Sequence, residues 1–369
     1  MKPLRVYSTD LSFYTNYIEK LVEEAHAGFS PAIKRFAEYV PRLATLSHND
    51  IPNAKLTVED AQCVYAREHG FDHWAEFAEF VNLVAKDGSK EPFVEFIHAV
   101  EGDHIDVVEK LLDQDPDLIH HVASTHKSPL HSCPSVELTS LLLSRGAPAD
   151  LETPLPGGTP LVHALIWGRT KKAETIAVIN LAPENMRVAA GLGRIDLLEK
   201  MWQKNGSLIS EAKSGRTYYR PNYGWFPWTP GDSDQEVLDE ALIYAATNGQ
   251  INAAQYLIDR GANVDGLAYE TRPLIRAAWR GQTETIDWLL DHGASIDATG
   301  WLGGHAKGTT ALHIAASIGD LALVKHLLDR GANLHIRDQL YNGKPDGWAD
   351  NFGHTEVRDF LQPLCESQK

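Results

Sequence analysis

The stretches ALIYAATNGQINAAQYLIDRGA (residues 241–262), PLIRAAWRGQTETIDWLLDHGA (273–294) and ALHIAASIGDLALVKHLLDRGA (311–332) share one layout. Each has a short apolar run, a glycine, a second apolar run and a closing Gly-Ala. Apolar residues at helical spacing on both sides of a glycine predict two short helices joined by a tight turn, because glycine takes the left-handed backbone that ends a helix without a steric cost. The inter-helix glycines Gly249, Gly281, Gly319 and Gly353 follow one another at 32, 38 and 34 residues. That is the period at which a helix pair and its turn stack on a copy of themselves. The chain therefore reads as a solenoid, in which neighbours bury a continuous core and no single globular centre is needed.

Working outward, eight units are placed by the residue between their helices: Gly102, Pro134, Gly168, Gly193, Gly249, Gly281, Gly319 and Gly353. The unit at Pro134 is short, and the proline predicts a first helix of a single turn. Only 25 residues separate Gly168 from Gly193, so residues 180–185 join two helices with no room for an extended finger. Between Gly193 and Gly249 there are 56, and the excess is an insertion at 213–233, KSGRTYYRPNYGWFPWTPGDS. A flexible linker is poor in aromatics, whereas this segment is dense with them, so it reads as a structured flap.

Ser128-Pro129-Leu130-His131, Thr159-Pro160-Leu161 and Thr310-Ala311-Leu312-His313 open units that run on into small residues, a glycine, an apolar helix and Gly-Ala. In this they resemble the ankyrin repeat, and the resemblance covers roughly residues 90 to 362. It implies an all-α ankyrin-repeat solenoid with short hairpin-like fingers. Ankyrin proteins bind proteins far more often than they catalyse, so it also implies an interaction module that takes a partner segment in its concave groove. Upstream, Thr57 can cap a helix that Gly70 ends, and Asp72 can cap the next. The run Arg67-Glu68-His69-Gly70-Phe71-Asp72-His73-Trp74 resembles the stretch that precedes the repeats in bacterial ankyrin proteins. The expected organisation is a helical cap region at 1–88 and a repeat domain of about eight units at 89–365. A helix-turn-helix DNA reader at 57–84 is disfavoured, because Glu59, Asp60, Glu68, Asp72, Glu76 and Glu79 make its exposed side acidic.

In an ankyrin unit the two residues before the first helix's glycine face the groove. Transferred here they include Ile166 and Trp167, Thr247 and Asn248, Trp279 and Arg280, Ser317 and Ile318, and Asn351 and Phe352. Trp167, Trp279, Arg280 and Phe352 are thus candidate ligand-binding residues, since large aromatics and arginine supply contact area and forked hydrogen bonds. The flap adds Tyr218, Tyr219, Trp225 and Trp228, and the fingers add Tyr269, Trp301 and His305. The alternative reading is a small-molecule binder or enzyme, for a sugar-like ligand, whose pocket the flap closes.

Charge and motifs narrow the classes. With 34 basic and 50 acidic residues the formal charge is −16, which repels phosphate backbones and anionic headgroups, so neither nucleic acid nor membrane is an expected partner. Three widely spaced cysteines fit a reducing compartment, and no long apolar run suggests a leader or a span, so a cytosolic location is expected. No motif nominates a catalytic residue or a cofactor. Glu270, Asp297, His305 and Asp338 are the groups to inspect for acid–base work, with Asp265 and Asp297 explained as turn formers. His120, His121, His126, His131 and Cys133 cluster at a spacing that fits no standard zinc pattern, so no metal is expected.

Overall fold

The computed structural model describes residues 3–152, 158–179, 185–216, 231–302 and 307–366. The fold is all-α, and among the described residues extended pairing is limited to isolated bridges. The described residues up to Pro160 form one compact unit and those from Leu161 onward a second.

The first unit opens with four helices, α1 (Leu11–His26), α2 (Ser30–Tyr39), α3 (Val58–Glu68) and α4 (Trp74–Lys86). Two pairs follow: α5 (Pro92–Glu101) with α6 (Ile105–Gln114), and α7 (Pro129–Ser132) with α8 (Val136–Ser144). On α1 the buried Tyr14, Ile18, Leu21 and Ala25 mark a helical stripe that packs with α2 and α3. Thr57 starts α3 as expected, in a reciprocal capping box with Asp60, and Gly70 ends it at φ +82°. The expected cap at Asp72 is not formed: α4 begins one residue later, after His73, with no side-chain cap. Arg35 and Glu68 make a bidentate pair of 2.7 and 2.8 Å in the interior, so each charge has its partner where water is excluded. The α7 helix is one turn long, as Pro134 requires.

In the second unit the pairs are α9 (Pro160–Ile166) with α10 (Thr170–Ile179), α11 (Met186–Gly191) with α12 (Ile195–Leu198), and α13 (Asp234–Thr247) with α14 (Ile251–Ile258). Then come α15 (Pro273–Trp279) with α16 (Thr283–Asp291), α17 (Ala311–Ile318) with α18 (Leu321–Asp329), and α19 (Pro345–Asn351) with α20 (Thr355–Glu366). The first helices end alike. In α17 the N–H of Asp320 reaches back to Ala315 O and that of Gly319 to Ala316 O, with Gly319 at φ +76°. This two-bond closure satisfies carbonyls that a helix end leaves open, and it needs a left-handed residue at the glycine. The Gly-Ala endings repeat it, as in Ala332 N to Leu327 O. In α5 the left-handed residue is not Gly102 but Asp103, at φ +58°.

The helices α11, α13, α15, α17 and α19 pack side by side in chain order, with Leu257, Leu289, Leu327 and Leu361 of the second helices fully buried. The α9 helix departs from this order. In an unbroken stack it would stand three places from α15, ~30 Å away at the usual helix spacing. Instead its C-terminal end touches α13 and α15 directly: Asn248 Nδ2 donates to Leu165 O at 2.9 Å, and Arg276 donates to Ile166 O. The expected run of equivalent units is therefore interrupted at α9, whose end lies over the inner side of its successors.

Candidate functional site

The inner face divides into a covered and an open stretch. The covered stretch is built by the elbow between α9 and α10. Gly168 turns it at φ +61°, and Gly168 and Arg169 donate back to Leu165 and Ala164. The last carbonyls of a helix carry the negative end of its dipole, and here side chains meet them: Asn248 at Leu165 O, Arg276 at Ile166 O, and Arg280 at Gly168 O, 3.3 Å away. Thr170 Oγ1 donates to Asn248 Oδ1 at 2.8 Å. Trp167 sets its ring edge-on to Trp279 at 5.4 Å, and the Arg276 and Arg280 guanidinium groups lie 4.7 and 5.2 Å from the Trp279 ring centre. Trp167, Trp279 and Arg280 are thus brought together. They meet, however, in a contact of the chain with itself, because the helix-end carbonyls need donors and the inner face supplies them.

The open stretch lies at α17 and α19. At the position before each glycine, Asn248 is 5% exposed, whereas Ile318 is 37% and Phe352 46% exposed. At α17 the preceding Ser317 is buried and only Ile318 of the expected pair faces out, whereas at α19 both Asn351 and Phe352 do. Arg280, also exposed, borders both stretches. Burial and then the nearby Arg169 charge lower its pKa. The finger before α19 presents exposed Leu340 and Tyr341, while the buried Asp338 holds its turn by accepting from Leu340 N, Tyr341 N, Gly343 N and Trp348 Nε1. Those bonds outweigh the burial that opposes the charge, so the carboxyl of Asp338 sits below its usual range.

Tyr269 does not face a groove. It is buried, and its hydroxyl donates to Glu240, which Arg187 also reaches at 3.3 Å and Arg216 contacts as well. Tyr269 and Glu270 both have positive φ, 54° and 53°, between the bridged residues Ala268 and Thr271. Neither is glycine, so this two-residue turn stores strain, and the buried Tyr269–Glu240–Arg187 network holds it. Arg187 also reaches Gly215 O, and Arg216 donates to Gly231 O, which pins the two described ends of the 213–233 insertion together. Tyr218, Tyr219, Trp225 and Trp228 of that insertion lie outside the described residues, as does His305. Trp301 is half-buried in its finger, with its backbone N–H donating to Glu270 O at 2.7 Å and Lys307 Nζ 5.8 Å from its ring.

Of the groups singled out for chemistry, Glu270, Asp297, Asp338, His131 and Cys133 have structural partners. Glu270 pairs with Lys307 at 2.6 Å, while Asp297 accepts from Asn333 N and Asp265 from Ser295 N, each tying one finger to the next. His131 bonds Ser128 Oγ at 2.8 Å and Gly158 O at 3.0 Å, and His313 bridges Thr310 and Gly343 O in the same way. Cys133 packs against Thr139 Oγ1. Among the described residues no three metal-binding side chains converge. A shallow cleft of about 410 Å³ is lined by Glu199, Trp202, Gly206, Tyr256 and Arg260, with the Arg260 guanidinium laid 3.5 Å over the Tyr256 ring.

Sequence reasoning missed Arg187, Glu240, Tyr244 and Arg276. Tyr244, Arg276 and Ile314 each stand five residues before their glycine. A charge or phenol where a sibling carries isoleucine was the available signal. Comparison with known families matches residues 228–300 to ankyrin repeats (3 copies) and residues 274–328 to ankyrin repeats (many copies). Residues 228–328 thus carry ankyrin repeats. No curated protein matches the chain, and no helix among the described residues is long and apolar enough to cross a membrane.

Proposed function

We propose that the chain is a protein-interaction module that takes a segment of a partner along the open stretch of its inner face, at Arg280, Ile318 and Phe352, with Leu340 and Tyr341 on the neighbouring finger. The carrying observation is the exposure of Ile318 and Phe352, at repeat positions where Asn248 is covered. Exposed apolar groups in a row cost solubility, and a binding face is the usual reason to keep them. Ankyrin repeats typically bind proteins, which fits. In this reading the repeat domain spans 89–365, residues 1–88 form its helical cap, and the module works in the cytosol. Trp167 and Trp279 then support the face from below. The small-molecule reading rests on the flap aromatics, which lie outside the described residues, and on the enlarged finger around Trp301.

The test is affinity capture of partners on the full chain and on a doubly charged variant, Ile318→Asp with Phe352→Asp. Loss of the partners with an unchanged melting curve is the expected result. Full retention would move the binding face elsewhere.

A further inference from the structure

The open stretch also carries information about the chemistry of its partner. The chain has an excess of 16 acidic residues, and its solvent-facing arginines usually find one. Arg145 pairs with Asp113 at 2.7 Å, Arg194 with Asp196 at 2.5 Å, Arg330 with Asp291 at 2.6 Å and Arg358 with Asp350 at 2.9 Å. Among the described residues Arg280, like Arg260 and Arg337, has no carboxylate partner: its polar contact is one carbonyl, Gly168 O at 3.3 Å, and the charge it feels nearby is that of Arg169. A guanidinium has five N–H donors in a rigid fork, so most of its capacity is left for a ligand. The Trp279 ring, 5.2 Å away, supports it in place, which lowers the ordering cost of binding. An unneutralised arginine on an acidic chain makes a local positive spot in a negative field, and such a spot selects partners by charge.

The spacing adds a second constraint. Arg280, Ile318 and Phe352 occupy the same position in three consecutive repeats, whose first helices α15, α17 and α19 pack in order. Adjacent helices stand ~10 Å apart. An extended segment advances ~3.3 Å per residue, so roughly three residues of partner bridge one repeat.

Resting on the binding face assigned above, we propose that the open stretch selects an extended acidic segment, with a carboxylate on Arg280 and apolar side chains on Ile318 and Phe352 at successive intervals of about three residues. The carboxylate accepts two parallel bonds from the guanidinium, and the apolar residues cover the exposed isoleucine and phenylalanine.

The experiment selects binders from a library of random peptides displayed on phage, using the full-length chain, Arg280→Glu and Arg280→Gln. The expected outcome is enrichment of sequences with Asp or Glu about three residues from an apolar residue. Synthetic peptides made from them should bind Arg280→Gln on the order of tenfold more weakly. Arg280→Glu should enrich Lys or Arg at the acidic position, which a merely misfolded variant would not do. Two other results overturn the proposal and can be told apart. Enrichment indifferent to charge and unchanged in Arg280→Glu, yet lost with Phe352→Asp, removes the acidic preference and leaves the binding face standing. No enrichment by the full-length chain removes both.

Discussion

The inner face at α13 and α15 and the inner face at α17 and α19 are built from the same repeat, yet one is closed by the chain and the other is open. At the first, Asn248, Arg276 and Arg280 meet the carbonyls at the end of α9, and Trp167 fills the space beside Trp279. At the second, Ile318 and Phe352 face solvent. The repeat supplies the scaffold, and what a repeat position does depends on what lies over it. Polar donors occur where a helix end has open carbonyls to satisfy, and apolar groups stay exposed at Ile318 and Phe352, the latter tilted on the Trp348 ring at 6.1 Å.

Four sets of substitutions test this contrast. The largest effect belongs to the core that both stretches share. Leu289→Ala and Leu327→Ala each empty a fully buried site between repeats. Denaturant melts should show a loss of about 2–5 kcal/mol for both, with neither stretch favoured. Next come the aromatic pair: Trp167→Ala, under the elbow, should cost about 2–3 kcal/mol, against less than about 1 kcal/mol for Phe352→Ala in thermal melts. Equal losses would mean that the elbow is not packed onto α13 and α15.

The turn glycines separate the stretches a third time. A Cβ at Gly168 would lie 2.7–2.9 Å from the Arg280 side chain, whereas one at Gly353 meets nothing within 4 Å, though both have positive φ, +61° and +78°. Gly353→Ala should therefore lose only the left-handed cost of about 1 kcal/mol, and Gly168→Ala about 1 kcal/mol more. The smallest effect on stability is expected for Ile318→Asp, within about 0.5 kcal/mol because the site is exposed, together with a clear loss of partner binding. A large destabilisation by Ile318→Asp would show that the site is core.

The repeat was legible because its signals are local. A glycine at each helix end and leucines at helical spacing report on the few residues around them, and the helix pairs stand where those signals put them, with the left-handed turn moved by one residue at Asp103. The docking of α9 was not legible. It depends on Arg276 reaching Ile166 across 110 residues, and a period in the sequence carries no record of one unit leaving the line. Trp167 and Trp279 drew notice for the right reason, as large aromatics on an inner face, yet they turned out to meet each other. The same blindness applied to Tyr269, read as a finger residue at a groove and found buried on Glu240. Only the neighbouring elements decide whether a tyrosine at such a turn faces in or out.

In the proposed arrangement the inner face binds its partner at α17 and α19 and not on the outer side of the stack. A photo-crosslinking amino acid placed in turn at Ile318, at Phe352 and at the exposed second-helix residue Glu284 tests it in the presence of a captured partner. Crosslinks from 318 and 352, with none from 284, are the predicted result. Crosslinking from 284 alone would contradict it.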